Sequence, residues 1–334
     1  MKKTQVALAA LALVASTAVL ADGVAIYGNA DASAISGGGK TSFDGGGGYT
    51  TSLIGFRGSE DLGNGLKASF NLETAVNLGD GGRGGGSGGN TGLFNRAANL
   101  SLGTESLTVT LGNILSIAVA GAFTGATAGA GDNLNVPAVV RLMPAPGVVS
   151  HSGGPSGFFI PDALTISGGA GGLTVKAQTR VGKNAETETG YNAVTVGGAI
   201  DVINFSIGHQ QSTGGAAGDY KTMYAAANIK IGDIGLNGAY AKNTGTVSAN
   251  TYMFGASYPL TEAASIGAIY ARGVAGDNQT SVNLKYSLSK STVAYTTVSS
   301  FGNGAFGTQY SNTNNGEIGL NAKNVIAVGI SHSF

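Results

Sequence analysis

The side chains that most often perform catalysis or hold metals are sparse in this sequence. Its histidines are His151, His209 and His332, and it contains no cysteine. HExxH and CxxC motifs are missing, so the ligand patterns of zinc hydrolases and thiol enzymes are not formed. A serine triad would lack a nearby histidine and carboxylate. The residue types therefore predict a protein without an enzymatic reaction, a metal or a cofactor.

Glycine-rich stretches are the second possible source of chemistry, because glycine loops can cradle phosphates. They occur at residues 45–48 and 81–89, but neither is followed by Gly-Lys-Ser/Thr. The regularly spaced aspartates of calcium-binding glycine repeats are also missing. We interpret both stretches as flexible turns between strands.

The N-terminus has the pattern of a secretory signal peptide. Two lysines precede an apolar run over residues 6–15, and small residues lead up to Ala21. The run is shorter than the roughly 20 residues that a membrane-spanning helix needs. We expect cleavage after Ala21, with Ala18 as the alternative, so that residues 1–21 are removed and residues 22–334 are exported.

Charge and composition exclude several classes of protein. Without Lys2 and Lys3, the 18 basic side chains fall to 16, against 18 acidic ones, which argues against a nucleic-acid binder. The missing cysteines exclude a disulfide-stabilised secreted domain. After the signal peptide, the apolar runs are too short for spanning helices.

Apolar and polar residues alternate strictly in several segments. In residues 66–78, the even positions are Leu66, Ala68, Phe70, Leu72, Thr74, Val76 and Leu78, and the odd positions are Lys67, Ser69, Asn71, Glu73, Ala75 and Asn77. The same period recurs over residues 203–208, 281–288 and 326–331. This period predicts β-strands with one apolar face and one polar face.

Alternation alone leaves a soluble sandwich and a membrane barrel equally open. Export and segments of roughly ten residues favour an all-β fold, a transmembrane antiparallel β-barrel of about 16 strands over residues 22–334. Closure removes sheet edges, and a barrel of this size encloses an aqueous channel. We expect strands to begin near Val24, Tyr49, Gly65, Asn95, Leu107, Ala163, Gly172, Thr189, Val202, Asp219, Asp233, Asn250, Ala263, Thr280, Ser291 and Asn324.

Aromatic residues lie near the ends of the apolar rows. They include Tyr252, Tyr258, Tyr270, Tyr286 and Tyr295. They fit an aromatic girdle at the headgroups, or simply the preference of tyrosine for strands. The chain ends in Phe334, on the same face as Ile330 and His332, which resembles the insertion signal of outer-membrane barrels.

Several motifs together resemble the Gram-negative porin family typical of β-proteobacteria. They are Tyr27, Gly28 and Asp31 in the order YGxxD, residues 55–73, Phe94-Asn95-Arg96 with Ala97-Ala98, residues 109–112 and residues 329–334. The similarity covers roughly the first hundred mature residues and the last strand. It implies a 16-stranded barrel in the outer membrane of a Gram-negative bacterium, usually a homotrimer embedded in the lipid bilayer.

The resemblance also implies that a long third loop folds into the lumen and forms a constriction. The candidate is residues 114–160, and an extracellular flap is the alternative. Its formal charges are Asp132 and Arg141, with His151 titratable.

Family members commonly place arginines on the wall opposite acidic groups of this loop, which favours anions. Arg96 matches one of them, whereas Leu53, Asn113 and Ser331 stand where arginine is usual. We therefore expect only weak charge selectivity. Strict alternation would place Arg96 on the outward face with Leu100, unless a bulge near Ala97 or Ala98 changes the parity. The other predicted lumen charges are Arg57, Lys67, Glu73, Lys176, Arg180, Lys230 and Lys285, which we interpret as solvated wall residues.

Three functions remain open. The first is a porin for passive diffusion of small hydrophilic solutes and ions. The second is a substrate-specific outer-membrane channel, in which Phe123, Phe158 and Phe159 make the constriction less polar. The third is a plugged structural or adhesive barrel whose glycine-rich loops meet a partner.

Overall fold

The computed structural model describes residues 22–45, 48–84, 92–125, 148–149, 155–156, 158–181, 190–214, 218–246, 248–273, 278–302 and 323–334. The predicted signal peptide lies outside the described residues, as do Asp132, Arg141 and His151.

The described chain is almost entirely β-structure. The strands are β1 (Asp22–Gly37), β2 (Lys40–Asp44), β3 (Leu53–Gly63), β4 (Leu66–Ala75), β5 (Ala98–Gly103), β6 (Leu107–Leu115), β7 (Val148–Val149), β8 (Pro155–Ser156), β9 (Phe159–Ala170), β10 (Leu173–Arg180), β11 (Gly190–Ile200), β12 (Ile203–Thr213), β13 (Tyr220–Ile231), β14 (Ile234–Gly245), β15 (Ala249–Pro259), β16 (Ala264–Arg272), β17 (Asn278–Ser287), β18 (Thr292–Phe301) and β19 (Asn324–Ser333). A short helix α1 (Ile117–Ala122) continues into a 3-10 turn (Phe123–Gly125). In the part of the chain that is described, neither helix has the length and hydropathy to cross a membrane.

The strands form a closed antiparallel ring. β1 pairs with β3 on one side and with the last strand, β19, on the other. The main sheet contains 17 strands, of which β2 only extends β1 as a hairpin, so the ring itself has 16. Closure pairs the backbone groups that the edges of an open sheet would leave exposed. The predicted fold class, a barrel of about 16 antiparallel strands, is confirmed.

Connection lengths distinguish the two ends of the barrel. Asn64 and Gly65 join β3 to β4 with φ angles of 52° and 76°, as a type I′ hairpin requires. The end with such tight connections is called the turn rim here. The opposite end, the loop rim, carries longer connections such as residues 76–97 and 116–158.

The two faces of the sheet differ in chemistry. Large apolar side chains on one face are exposed, for example Leu100 at 62%, Ile207 at 56% and Val328 at 53%. The other face carries buried polar side chains, such as Thr222 and Ser281. We call these the apolar face and the polar face, and directly opposite partners in the register share a face.

The apolar face carries exposed tyrosines and the C-terminal aromatic ring. Tyr258 and Tyr286 are 47% and 52% exposed. Tyr295 is 3% exposed on the polar face, so the girdle interpretation is wrong for this residue. Phe334 pairs with Gly28 through both backbone bonds, and a Cβ at Gly28 would lie 2.4 Å from the Phe334 ring. Glycine at position 28 therefore leaves room for the terminal ring next to β1.

Candidate functional site

A cluster of charged and polar side chains lies on the polar face of β1, β3 and β4. It consists of Tyr27, Arg57, Asn71, Glu73 and Arg96, and we call it the charged patch. The Glu73 carboxylate accepts a hydrogen bond from the Tyr27 hydroxyl at 2.6 Å and pairs with Arg96 Nε at 3.2 Å. The Arg57 guanidinium lies 4.7 Å from the centre of the Tyr27 ring. The patch therefore holds two cations around one carboxylate.

An irregularity before β5 brings Arg96 into this patch. Arg96 N donates to Glu73 O at 3.2 Å, and Glu73 N donates to Ala97 O at 2.8 Å. Two consecutive residues thus oppose Glu73, which is the arrangement of a β-bulge. Leu100 points to the apolar face, whereas the Arg96 side chain reaches Glu73 on the polar face. Of the two alternatives that the sequence left open, the bulge near Ala97 is therefore the one present.

Packing around Arg96 fixes the orientation of its guanidinium. The guanidinium carbon lies 5.2 Å from the centre of the buried Phe159 ring on β9. Asn113 Nδ2 donates to Arg96 O. The Arg96 and Glu73 side chains are 20% and 15% exposed, so this ion pair still contacts solvent. Arg57 is exposed.

The other predicted lumen charges lie apart from the charged patch. Lys67 and Lys230 are exposed near the turn rim, and Lys176 is exposed on β10. The Arg180 side chain is 2% exposed, and its Nη2 lies 3.6 Å from Asp162 Oδ2. Lys285 Nζ lies 5.5 Å from the centre of the Tyr49 ring.

At the three positions where the family usually has arginine, this chain has an uncharged residue that makes local contacts. Ser331 is buried and its hydroxyl donates to Asn29 Oδ1 at 3.2 Å. Leu53 pairs with Ala75 in the register between β3 and β4. Asn113, as described above, bonds to the backbone of Arg96.

A second region of the polar face is covered by α1. The apolar side chains of the helix, such as Val119 and Ala122, belong to one buried cluster with Tyr191, Tyr224 and other residues of β9, β11 and β13–β16, and the helix itself contacts β10–β13. We call this the helix-covered patch. Its buried members are Ile117, Ala118, Val119, Ala122, Ile160, Ala163, Tyr191, Ala193, Tyr224, Ala226, Ala239, Ala241, Met253, Ile269 and Ala271. None of them carries a formal charge.

Hydrogen bonds fix the start of α1 to the barrel. Ser116 caps the helix by accepting from Val119 N at 3.2 Å, and its hydroxyl lies 2.7 Å from that of Tyr191. Gln178 accepts from Ile117 N at 3.1 Å and donates to Leu115 O at 3.2 Å. These polar groups would otherwise be buried without partners.

Glycine at position 121 allows close approach of α1 to the sheet. A Cβ there would lie 1.9 Å from the Tyr224 hydroxyl and 2.4 Å from that of Ser206. Beyond the helix, Asn228 Nδ2 donates to Thr124 O at 2.9 Å, and Asn237 Nδ2 donates to Gly125 O. Residues 116–125 therefore follow the polar face from β10 to β14.

Sequence reasoning missed the role of Asp31, which it noted only as part of the YGxxD motif. Asp31 is completely buried and accepts from Gly48 N at 2.8 Å, Thr50 N at 3.1 Å and the Tyr295 hydroxyl at 2.7 Å. The carboxylate thus holds the chain before β3 against the barrel. A carboxylate at a polar-face position of β1 was the available signal, but its partners are distant in sequence.

Among the described residues, no three histidine, aspartate or glutamate side chains group closely enough to hold a metal ion. A closed ring with an exposed apolar face and charges on the opposite face defines a transmembrane β-barrel. The sequence model of the Gram-negative porins matches residues 7–305. The chain belongs to this family and is an outer-membrane diffusion channel, not an enzyme.

Solved outer-membrane proteins share the fold at low sequence identity. The anion-selective porin from Comamonas acidovorans is 20% identical, with a TM-score of 0.69 over 93% of this chain and 99% of that one. A mutant of the Rh. blastica porin is 13% identical, with a TM-score of 0.65 over 93% of this chain and 100% of that one. In vitro folded OmpT from Vibrio cholerae is 12% identical, with a TM-score of 0.62 over 95% of this chain and 100% of that one. No curated protein sequence matches the chain.

Proposed function

We propose that the chain forms a water-filled channel for passive diffusion of small hydrophilic solutes and ions, with weak charge selectivity. The observation that carries this proposal is the separation of the two faces in a closed ring. The apolar face, with exposed residues such as Leu100 and Val328, contacts lipid, and the polar face surrounds the lumen. A ring of 16 strands is wide enough for an aqueous passage.

Passive diffusion follows from the cost of dehydrating a polar solute. A hydrated lumen spares the solute the transfer into hydrocarbon, which costs several kcal/mol for each unsatisfied polar group. The described wall offers hydroxyl, amide and charged groups, for example Asn71, Thr174 and Lys176. Such groups can replace part of the hydration shell without binding one solute tightly.

Weak selectivity is supported by the composition of the charged patch. Glu73 is paired with Arg96 at 3.2 Å, so their fields largely cancel at a distance. Arg57 remains as an exposed cation, while Leu53 and Ser331 add no charge. We therefore expect a small preference for anions.

The constriction by residues 114–160 is part of the same proposal. Its support is the course of residues 116–125, which are held on the polar face by Gln178, Tyr191 and Asn228. In a closed barrel, a segment on the face that surrounds the lumen narrows the passage.

The test is single-channel recording of the purified, refolded mature chain in a planar bilayer under a salt gradient. We expect large ohmic current steps and a reversal potential close to zero, displaced slightly toward anion permeation. An electrically silent barrel would contradict the channel. A preference for anions by an order of magnitude would contradict the weak selectivity alone.

A substrate-specific channel is the second candidate, favoured by the apolar character of the helix-covered patch. Phe123 and Phe158 meet edge to face at 6.5 Å between ring centres, next to that patch. A moderately apolar solute would be retained there. Block of the ionic current by micromolar amounts of one solute class, with no block by unrelated sugars or amino acids, would favour this function.

Assembly and export complete the proposal. A homotrimer is supported by the solved trimer form of OmpT from Vibrio cholerae, which shares the fold at 14% identity and a TM-score of 0.59. Chemical cross-linking in native membranes should give a trimer band. N-terminal sequencing of the membrane-embedded protein should begin at Asp22.

A further inference from the structure

The apolar face of the barrel is almost free of formal charges in the described strands. The exceptions are Glu60 near the turn rim and three cations near the loop rim: Lys221, Lys242 and Arg272. All three cations lie within four consecutive strands, β13 to β16. We call them the basic patch. Unlike the charged patch of the polar face, the basic patch contains no carboxylate.

The register places the three cations close together. Lys221 is opposite Thr244, and Lys242 is opposite Met223, so the two lysines are diagonal neighbours at roughly 7–8 Å. Lys242 is also opposite Asn250 on β15, and Arg272 is opposite Tyr252 on that strand. One ligand with two or three acidic oxygens could contact all three residues.

An aromatic cluster lies directly below the basic patch on the same face. Tyr270 is 6.1 Å from Tyr252 and 5.4 Å from Phe254 between ring centres. Arg272 lies two residues nearer the loop rim than Tyr270 on β16. Amphipathic rings mark the boundary between hydrocarbon and headgroups, so the three cations lie at the level of the headgroups.

The charges of the basic patch are available to a ligand. Lys221, Lys242 and Arg272 are exposed, and in the described chain no carboxylate is within ion-pair distance of them. Asp219 is the acidic residue nearest in sequence, and its carboxylate accepts from Gly214 N at 2.8 Å. The patch therefore presents net positive charge toward the surrounding membrane.

We propose that the basic patch binds the phosphate groups of lipid headgroups in the leaflet at the loop rim. Charge complementarity selects an anion, and outward orientation at headgroup depth selects a lipid rather than a permeating solute. The guanidinium of Arg272 provides paired donors for phosphate oxygens, and the two lysines add charge. The site lies outside the lumen and is independent of the solute that passes through.

Native mass spectrometry of the full mature protein in a neutral detergent can test this site. The probes are a bis-phosphorylated glycolipid from Gram-negative outer membranes and the same lipid with its phosphates removed. We expect the phosphorylated lipid to bind at least about tenfold more tightly, and added salt to reduce that preference. The variant K221Q/K242Q/R272Q should lose most of it.

A matched variant removes the same amount of charge from the polar face. K67Q/K176Q/K230Q should keep the lipid preference, and the charge-conserving K221R/K242R/R272K should keep it as well. Heat-dependent mobility on gels reports whether each barrel is folded. Equal binding of both lipids by the unmodified protein would overturn the proposal without bearing on conductance. So would a preference that survives K221Q/K242Q/R272Q, or one that the matched variant loses equally.

Discussion

The charged patch and the helix-covered patch lie on the same face of one sheet, yet they present different chemistry to the passage. In the charged patch, Arg57, Glu73 and Arg96 keep solvent contact and form an ion pair and a cation–π contact. In the helix-covered patch, small residues such as Ala193 and Ala226 are buried in the cluster to which α1 contributes. Under the proposed function, the first patch acts on permeating ions through its charges, and the second narrows the passage.

The difference shows how one alternating pattern serves two purposes. Both regions place every second residue on the polar face. Where those residues are long and charged, the wall remains hydrated, because burying an unpaired charge is costly. Where they are alanine, methionine or tyrosine, a short helix can pack on the wall and exclude water. The size and charge of the polar-face residues therefore decide where the loop can lie.

The substitution with the largest expected effect disrupts the packing of the helix-covered patch. Gly121→Ala places a methyl group 1.9 Å from the Tyr224 hydroxyl, so α1 must shift from the sheet. We expect the free energy of unfolding, measured in urea with the barrel in micelles, to fall by up to about 3 kcal/mol.

Gly168→Ala is the matched control, since its Cβ would have no neighbour nearer than 3.4 Å. That substitution should change the free energy of unfolding by no more than about 0.5 kcal/mol. In a Tyr224→Phe background, Gly121→Ala should cost less, because the clashing hydroxyl is gone. Equal costs in both backgrounds would show that α1 does not contact Tyr224.

The second prediction separates a structural carboxylate from a field-generating one. Asp31→Asn replaces an acceptor that bonds Gly48 N, Thr50 N and the Tyr295 hydroxyl. We expect a loss of about 2 kcal/mol in the free energy of unfolding, with little change in ion selectivity. Asp61→Asn, at an exposed aspartate, should cost less. A large selectivity change with unchanged stability would reverse the assignment.

The third prediction tests how the charges of the charged patch affect ion selectivity. Glu73→Gln removes the carboxylate that Arg96 pairs with and leaves the two guanidinium groups unopposed. The anion-to-cation permeability ratio, from the reversal potential in a salt gradient, should rise about twofold. Glu60→Gln makes the same charge change on the apolar face and should leave the ratio unchanged. A shift toward cations would contradict the placement of Glu73 in the passage.

The smallest expected effect is on the anion-to-cation permeability ratio, when two cations of the polar face are replaced in turn. Arg57→Gln should lower the anion preference, because Arg57 lies within the patch. Lys67→Gln should change the ratio by less, because Lys67 is exposed near the turn rim and salt screens it over about 8–10 Å. If Lys67→Gln had the larger effect, the narrow part of the passage would lie near the turn rim.

Most of the fold could be predicted from local pattern. Strand beginnings agree closely, with the largest differences at β3, predicted near Tyr49 and found at Leu53, and at β9, predicted near Ala163 and found at Phe159. β2 was missed, because a short hairpin beyond β1 has no extended alternation of its own. The candidate site was less predictable, since the partners of Asp31 and Gln178 lie far along the chain.

The sequence by itself predicted the strands and their two faces through local alternation, a closed barrel through export and segment length, and the family through several motifs. A period of two depends on neighbouring residues alone, so it can be recognised before any contact is known. The tertiary structure decided which residues of the polar face meet. The bulge at Arg96 and Ala97 changed parity and formed the pair with Glu73, and the covering of Tyr191 and Tyr224 depends on the docking of α1. Such contacts arise from register and from long-range packing, which the pattern of one strand does not contain.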